Sequence, residues 1–267
     1  MASTAILTPD AGKRRDRVLA IRLGIVAVLL IGWQALSYSG LLYRDVVPPL
    51  QVVAKATLGL WSDPSFYRHV GTTAYELIVA LVIGVGAGMF TGVVLGGNRF
   101  AQEAFERYLY YLGPTPKIVF FPIMIMWFGV GPGSKIAMGA LSCFFPVSLS
   151  TAAAIRGISP ILVRVGRSCR ATPWQMAAKI YLPAMRESVA NSIRLGFGIA
   201  LIGTLLAETK ISNGGIGFLV IQSFQRFDMP LMYSLIITVF MMSIILNTLM
   251  TMAVTKMNYG KVIYNRR

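Results

Sequence analysis

The sequence predicts an all-α membrane protein with about six transmembrane helices, and two observations support this fold class. Of the 267 residues, 55% are hydrophobic and 13% are charged, whereas about a quarter of the residues in a soluble domain are charged. Six apolar stretches each approach or exceed about 20 residues, the length of helix that crosses a hydrocarbon core about 30 Å thick. A water-soluble globule of this composition would leave long apolar runs exposed.

The apolar stretches are predicted to be helices because lipid offers no hydrogen-bond partners to backbone N–H and C=O groups, which must therefore bond within each segment. The first stretch is longer than the roughly 7–15 apolar residues of a signal peptide, so it is predicted to remain as an anchor. The predicted spans are residues 18–39, 71–96, 107–129, 135–155, 188–208 and 231–255.

The distribution of basic residues predicts that both termini are cytoplasmic. With that orientation, 16 of the 25 Lys and Arg residues fall in inner segments and six fall in outer segments. Cytoplasmic loops of membrane proteins carry such an excess of positive charge. The predicted organisation is a cytoplasmic basic tail, a transmembrane anchor, an outer segment, a five-helix core and a second cytoplasmic tail, at residues 1–17, 18–39, 40–70, 71–255 and 256–267.

The outer segment contains apolar residues near helical spacing. These residues are Leu50, Val53, Leu58 and Trp61. They predict a short amphipathic helix on the outer membrane face, with Trp61 at the interface. An irregular loop in which the apolar residues are incidental explains the pattern equally well.

Several classes of function find no support in the residues. A net charge of +15 would suit a nucleic-acid-binding protein if the basic residues lined one face, but here they lie between apolar spans. With Cys143, Cys169 and His69 as the only residues of their kinds, no metal site is predicted. The glycine-rich residues 129–135 lack the spacing of a phosphate-binding loop. Neither ATP hydrolysis nor another enzymatic reaction is therefore predicted.

Four glycines lie at four-residue steps along the second predicted span. They are Gly84, Gly88, Gly92 and Gly96. Residues at this spacing share one face of a helix, and a face of small residues lets a neighbouring backbone approach closely in lipid. The stripe predicts that this helix is buried in the bundle, although glycine is also commoner in membrane helices generally.

The long inner connection, residues 156–187, contains a helix start at its centre. Thr172 can cap a helix, Pro173 suits the first helical position, and Gln175 can complete a capping box. We expect a helix of about two turns that stops near Pro183. One of its faces would carry Trp174, Ala177, Ala178 and Tyr181. A helix this short needs a partner, which is either another protein or the membrane surface.

The centre of this connection resembles the cytoplasmic EAA loop of permeases from binding-protein-dependent ABC importers. The resemblance rests on residues 168–175, Ser-Cys-Arg-Ala-Thr-Pro-Trp-Gln, and on residues 180–184, Ile-Tyr-Leu-Pro-Ala. Residues 114–131 are similar to the third-span signature of the nitrate, sulfonate and taurine branch of that family. The match continues at residues 193–196, 206–208 and 214–217 and covers most of residues 48–255.

In that family the EAA loop is the coupling helix, which sits in a cleft of a separate ATPase subunit. The resemblance implies a type I ABC importer permease fold and a set of ATPase-coupling residues. This set is Arg164, Ser168, Arg170, Ala171, Thr172, Pro173, Trp174, Gln175, Ala178, Tyr181 and Pro183.

The chain departs from the family twice. Arg164-Val165-Gly166 stands where Glu-Ala-Ala is usual, and Arg170 stands where the bend usually has glycine, whose backbone freedom arginine lacks.

Three charged residues lie in or near the predicted spans: Glu76, Lys117 and Arg194. A charged group in a span is unfavourable and usually faces a cavity or a partner. Lys117 follows two prolines that break the third span, so we expect it to line a translocation route and to favour a small anion. The alternative is that Lys117 reaches an interface or pairs with Glu76.

The resemblance thus predicts the permease subunit of an ATP-driven importer in the bacterial inner membrane, moving a small anion such as nitrate, a sulfonate or taurine. The expected partners are cytoplasmic ATPase subunits, an extracytoplasmic binding protein and a second permease copy, with no nucleic acid. ATP and Mg²⁺ would bind to the ATPase, and this chain would hold no cofactor. The alternatives are import of an aromatic carboxylate or vitamin precursor and, in another class, an ion-coupled secondary transporter.

Overall fold

The computed structural model describes residues 10–40 and 46–262, in which short connections join successive helices. The helices are α1 (Asp10–Tyr38), α2 (Leu50–Ser62), α3 (Pro64–Gly97), α4 (Arg99–Leu112), α5 (Phe121–Phe128), α6 (Pro132–Arg156), α7 (Pro160–Ser168), α8 (Pro173–Met176), α9 (Leu182–Lys210), α10 (Ile216–Gln225) and α11 (Met229–Val262). A 3-10 turn at Lys117–Phe120 precedes α5, and a π turn at Ala177–Tyr181 joins α8 to α9.

The number of membrane-crossing helices agrees with the sequence prediction. In the described part of the chain, five helices are long and apolar enough to cross a membrane. The bent pair of α4 and α5 makes a sixth span when it is counted as one. The all-α class and the count of about six spans are therefore confirmed.

Several helices extend beyond their predicted spans. Helix α1 begins at Asp10, α3 begins at Pro64, and α11 continues to Val262, because an apolar run marks only the part of a helix that crosses lipid. Within the predicted tails and outer segment, residues 1–9, 41–45 and 263–267 lie outside the described residues.

The breaks on either side of α3 are set by capping side chains. The Asp63 carboxylate accepts a hydrogen bond from the Ser65 backbone N–H at 2.8 Å and another from the Ser65 hydroxyl at 2.7 Å. These bonds lower the pKa of Asp63. At the other end, the Asn98 side chain accepts hydrogen bonds from the N–H groups of Phe100 and Ala101. Each cap satisfies donors that a helix start leaves free, so α2, α3 and α4 are separate elements.

The core is formed by α3, α6 and α9. The four glycines of the stripe face α6: a β-carbon added at Gly92 would lie 2.5 Å from the Ser148 carbonyl oxygen, and one added at Gly96 would lie 2.8 Å from the Ile155 β-carbon. Gly84 and Gly88 meet earlier turns of α6, so α3 and α6 are parallel. Helix α9 is antiparallel to them. We call the end where α6 stops the basic end and the opposite end the far end.

Helices α1 and α2 attach to this core near its far end. Trp61 Nε1 donates a hydrogen bond to Thr238 Oγ1 at 3.2 Å, which joins α2 to α11. Trp33 Nε1 donates to the Pro48 carbonyl at 3.0 Å. Most of the described α1 side chains are exposed. The predicted amphipathic segment is thus a 13-residue helix whose Trp61 packs on protein.

Candidate coupling segment and translocation face

The connection between α6 and α9 folds as a helical hairpin with a left-handed bend at Arg170. The Arg170 N–H donates to the Arg167 carbonyl at 2.9 Å, and the Ala171 N–H donates to the Gly166 carbonyl at 3.1 Å. This pair of bonds is a Schellman motif, in which the residue after the cap takes a positive φ. Arg170 has φ +52°, which costs an L-residue roughly 1–2 kcal/mol. Arginine therefore adopts the bend that the resemblance assigns to glycine.

The second arm of the hairpin begins with the capping box that the sequence predicts. The Thr172 N–H donates to Gln175 Oε1 at 2.9 Å, and the Gln175 N–H donates to Thr172 Oγ1 at 3.3 Å. The expected stop near Pro183 is wrong, because Pro183 is the second residue of α9. The π turn widens the helix where a proline ring would meet the preceding turn. The chain is therefore helical from Pro173 to Lys210.

The two arms of the hairpin pack through Gly166, which is buried. A β-carbon there would meet the Ile180 side chain and would lie 2.5 Å from Met176 Sδ. Gly166 is the last residue of Arg164-Val165-Gly166, which stands where Glu-Ala-Ala is usual. Because it has no side chain, it lets the two arms approach closely. Met176 is buried, whereas Trp174 is 80% exposed. One face of the second arm thus holds the hairpin together, and the other is free for a partner.

The coupling residues inferred from the resemblance lie mostly on the open side of the hairpin. Arg164, Ser168, Arg170, Thr172, Trp174, Gln175 and Ala178 are exposed, and Ala171, Tyr181 and Pro183 are half-buried. The Pro173 side chain lies outside the described residues. An exposed apolar patch rimmed by polar residues is typical of an interaction surface.

The predicted third span is broken at its proline-rich centre. Helix α4 and residues 117–128 meet at 93°. The Lys117 ammonium donates hydrogen bonds to the carbonyls of Gly113 and Thr115 and lies 5.2 Å from the centroid of the Phe145 ring. Lys117 thus binds carbonyls near the end of α4, where helical hydrogen bonding ceases. It is half-buried, and Phe145 is near the middle of α6.

Arg194 lies on α9, closer to the basic end than Lys117. A β-carbon at Gly196 would be 2.9 Å from Val147 Cγ2, one turn or less from Phe145, and Arg194 is two residues from Gly196. Arg194 Nη1 donates to Thr251 Oγ1 on α11 at 3.2 Å. Among the side chains that the structure describes, neither cation forms an ion pair. The half-buried Lys117 and the exposed Arg194 are therefore two cations of the spans without a described carboxylate partner.

Glu76 is placed elsewhere, in a buried charge cluster near the far end. This cluster consists of Glu76, Lys135 and Glu208, which are 1%, 0% and 0% exposed. The carboxyl groups of Glu76 and Glu208 and the Lys135 ammonium lie close enough to interact electrostatically. The alternative in which Lys117 pairs with Glu76 is not observed.

Glu208 also fixes the start of α10. The Gly217 N–H donates to Glu208 Oε2 at 2.6 Å, the Thr73 hydroxyl donates to Glu208 Oε1 at 2.7 Å, and the Ile216 N–H donates to Thr73 Oγ1 at 2.8 Å. A carboxylate at a helix N-terminus is stabilised by the helix dipole. Gly215, at φ +100°, has no room for a β-carbon beside the Glu208 carboxylate. Gly215 and Gly217 of the Gly-Gly-Ile-Gly sequence are therefore explained by close packing on Glu208.

Sequence reasoning missed Lys135 and Glu208 as members of this cluster. Lys135 is the first residue of the predicted span 135–155 and lies inside α6, where its ammonium donates to the carbonyls of Val130 and Gly131. One signal was available: Glu208 precedes a glycine-rich loop and a helix start, where a carboxylate is favoured.

Comparisons with known proteins identify the family of the chain. Residues 84–259 match the profile of a family described as binding-protein-dependent transport system inner membrane component. The chain is 29% identical over 199 residues to a putative aliphatic sulfonates transport permease of Bacillus subtilis, covering 74% of this chain and 72% of that protein. It is 25% identical over 210 residues to the taurine transport system permease of Escherichia coli, covering 77% and 76%.

The fold is also similar to that of a solved transporter. A chain of the MetNI methionine ABC transporter, in an inward-facing conformation, superimposes with a TM-score of 0.56 and 17% identity. The match covers 79% of this chain and 96% of that chain. The fold expected from the resemblance is therefore confirmed.

Proposed function

Because the chain belongs to the family of binding-protein-dependent transport system inner membrane components, we propose that two copies of it form the pathway of an importer for a small organic anion. Permeases of this family do not hydrolyse ATP themselves; a separate ATPase subunit does so, and a binding protein delivers the solute. The anion assignment depends on Lys117 and Arg194, two cations of the spans for which no ion pair is described. An ion-coupled secondary transporter would work without an ATPase, so membership of this family argues against that alternative.

The broken third span supports a second copy beside it. The Gly113 N–H makes the last helical hydrogen bond of α4, to the Leu109 carbonyl, and residues 113–116 are not helical. Pro114 and Pro116 are exposed near the level of Phe145. Irregular backbone at membrane depth is tolerated only where it is buried in protein or lines a water-filled cavity. The face that carries this break, together with Val119 and Phe120, would therefore meet the second copy and the solute path rather than lipid.

The proposed location is the bacterial inner membrane, with the basic end in the cytoplasm. Residues 156–187, which form this end, carry six basic residues, and such segments are retained on the cytoplasmic side. ATP and Mg²⁺ would bind to the ATPase beneath this end. The aliphatic sulfonate and taurine permeases among the relatives favour an organic sulfonate as the solute; an aromatic carboxylate or vitamin precursor is the second candidate.

The exposed Trp174 provides the first test of ATPase docking. We expect Trp174→Ala to weaken retention of the cognate ATPase by about 30-fold or more, since a central tryptophan in an interface often contributes at least about 2 kcal/mol. The measurement is a quantitative pull-down of the ATPase on the tagged permease from solubilised membranes. Trp127→Ala is the matched control, because Trp127 is 72% exposed but lies near the far end. Equal retention by both variants would contradict docking at Trp174.

The basic side chains of the hairpin provide a second test. If the ATPase cleft offers carboxylates to the two arginines that depart from the family pattern, Arg164→Glu with Arg170→Glu will abolish the association through charge repulsion. Both residues are exposed, so folding should be unaffected. The same pull-down reports the result, with Arg226→Glu as the control. Undiminished association would refute this pairing of charges.

The anion preference is tested by uptake. With radiolabelled taurine and ethanesulfonate as probes, Lys117→Met and Arg194→Gln should each lower uptake by the intact importer about tenfold or more, because a hydrogen bond to a charged group contributes about 1.5–3 kcal/mol. Lys117→Arg, which keeps the charge, should restore much of it. Lys210→Met, at an exposed position, is the control. Unchanged affinity and rate in Lys117→Met would exclude Lys117 from the path.

A further inference from the structure

A groove between α9 and α11 begins at Arg194. Its volume is about 630 Å³, and it is partly open. The α9 wall includes Arg194, Phe197, Leu201 and Ile202, and the α11 wall includes Phe240, Ser243 and Asn247. Leu195 and Ile202 line the groove and are also exposed.

The groove is polar at one end and apolar at the other. Because the two helices are antiparallel, Arg194 on α9 lies near the Ser243 and Asn247 side of α11, and Arg194 is held there by its bond to Thr251. Beyond them, Leu205 of α9 and Val239 of α11 continue the walls towards the far end. Such a groove is complementary to a ligand with one anionic group and an apolar chain.

The size of the groove favours an organic ligand over an inorganic anion. One water in the liquid occupies about 30 Å³, and an ion such as nitrate is not much larger. Small organic ligands occupy pockets of roughly 300–1,000 Å³ with mostly apolar walls and a few polar groups that fix orientation. The volume and the walls of this groove fall in that class.

We propose that this groove binds the transported solute, with its sulfonate or carboxylate group against Arg194 and its alkyl chain along Phe197, Leu201 and Ile202. The proposal rests on the proposed function and names its substrate class as organic anions with an aliphatic chain. Ser243 and Asn247 donate further hydrogen bonds to the anionic group. Arg194 is the specificity-determining cation, and Phe197 and Leu201 select for chain length.

The test is the reactivity of a cysteine placed in the groove, measured in the assembled importer in lipid nanodiscs. The background carries Cys143→Ala and Cys169→Ser, and Ser243→Cys introduces the probe. An anionic methanethiosulfonate that carries a sulfonate and a cationic one that carries a trimethylammonium group are compared by mass spectrometry. Each rate is normalised to that of the same reagent with free cysteine.

We expect the normalised rate of the anionic reagent to exceed that of the cationic reagent by about tenfold, because a cation in a cleft concentrates anions. Adding Arg194→Gln should remove the preference. Prior addition of 1-hexanesulfonate should slow the reaction at concentrations where sulfate does not. Thr248→Cys is the matched control, since Thr248 lies on α11, is exposed and does not line the groove.

Three outcomes would overturn the proposal. If neither reagent reacts with the cysteine at position 243, lipid fills the groove. If the preference survives Arg194→Gln, the charge lies elsewhere, and if sulfate protects as well as hexanesulfonate, the alkyl chain is not bound. The reaction requires neither nucleotide hydrolysis nor uptake. It therefore reports binding in the groove even if the importer does not move the solute, and the two failures can be told apart.

Discussion

Gly92→Leu will prevent stable packing of the core, with an expected loss of at least about 3 kcal/mol in the free energy of unfolding. The added β-carbon would lie 2.5 Å from the Ser148 carbonyl oxygen and 2.5 Å from the Thr151 β-carbon. Backbone and a β-branched side chain cannot move aside as the end of a flexible chain can. Helices α3 and α6 would have to separate along their shared length.

The matched control for this change is Gly86→Leu on the same helix, because a β-carbon at Gly86 meets nothing within 4 Å. Resistance of the purified protein to unfolding in increasing dodecyl sulfate measures the loss, with monodispersity after heating as a second readout. Equal stability of the two variants would show that α3 does not depend on close approach to α6.

Lys135→Met is expected to cost about 3–5 kcal/mol, which is typical when one partner of a buried charge pair is removed. Glu76 and Glu208 would then share the interior without a cation, and the carbonyls of Val130 and Gly131 would lose the Lys135 ammonium as a donor. The stability of the purified protein against denaturant measures this cost. Lys55→Met, at an exposed position of α2, should change it little.

A double-mutant cycle separates the charge effect from simple loss of packing. Glu76→Gln combined with Lys135→Met should cost less than the sum of the two single changes, with a coupling energy of at least about 1 kcal/mol. Additive costs would mean that Glu76 and Lys135 do not stabilise each other.

Features that depend on nearby residues were predictable from the sequence. The four-residue spacing of Gly84, Gly88, Gly92 and Gly96 predicted a tightly packed face, and these glycines all meet α6. The capping box of Thr172 and Gln175 forms as its spacing predicts. In both cases the geometry of one helix determines which atoms meet.

Features that depend on distant residues were not predictable. The buried charge cluster joins residues from α3, α6 and α9, and no local pattern pairs Glu76 with residues about 60 and 130 positions later. The two prolines predicted a break in the third span, but the 93° bend follows from packing of α5 on α6. The π turn before Pro183 was not predictable from the sequence either, because a proline by itself predicts the end of a helix.

The uninterrupted helical axis from Pro173 to Lys210 has a mechanical consequence. At about 1.5 Å per residue it is roughly 55 Å long, and it begins beside Trp174 and ends beside Glu208. A shift imposed by a nucleotide-driven neighbour at one end would appear at the other as displacement of the loop before α10. Opening on one side of the membrane and closing on the other would then be coupled through this helix, which departs from α-helical hydrogen bonding at the π turn of residues 177–181.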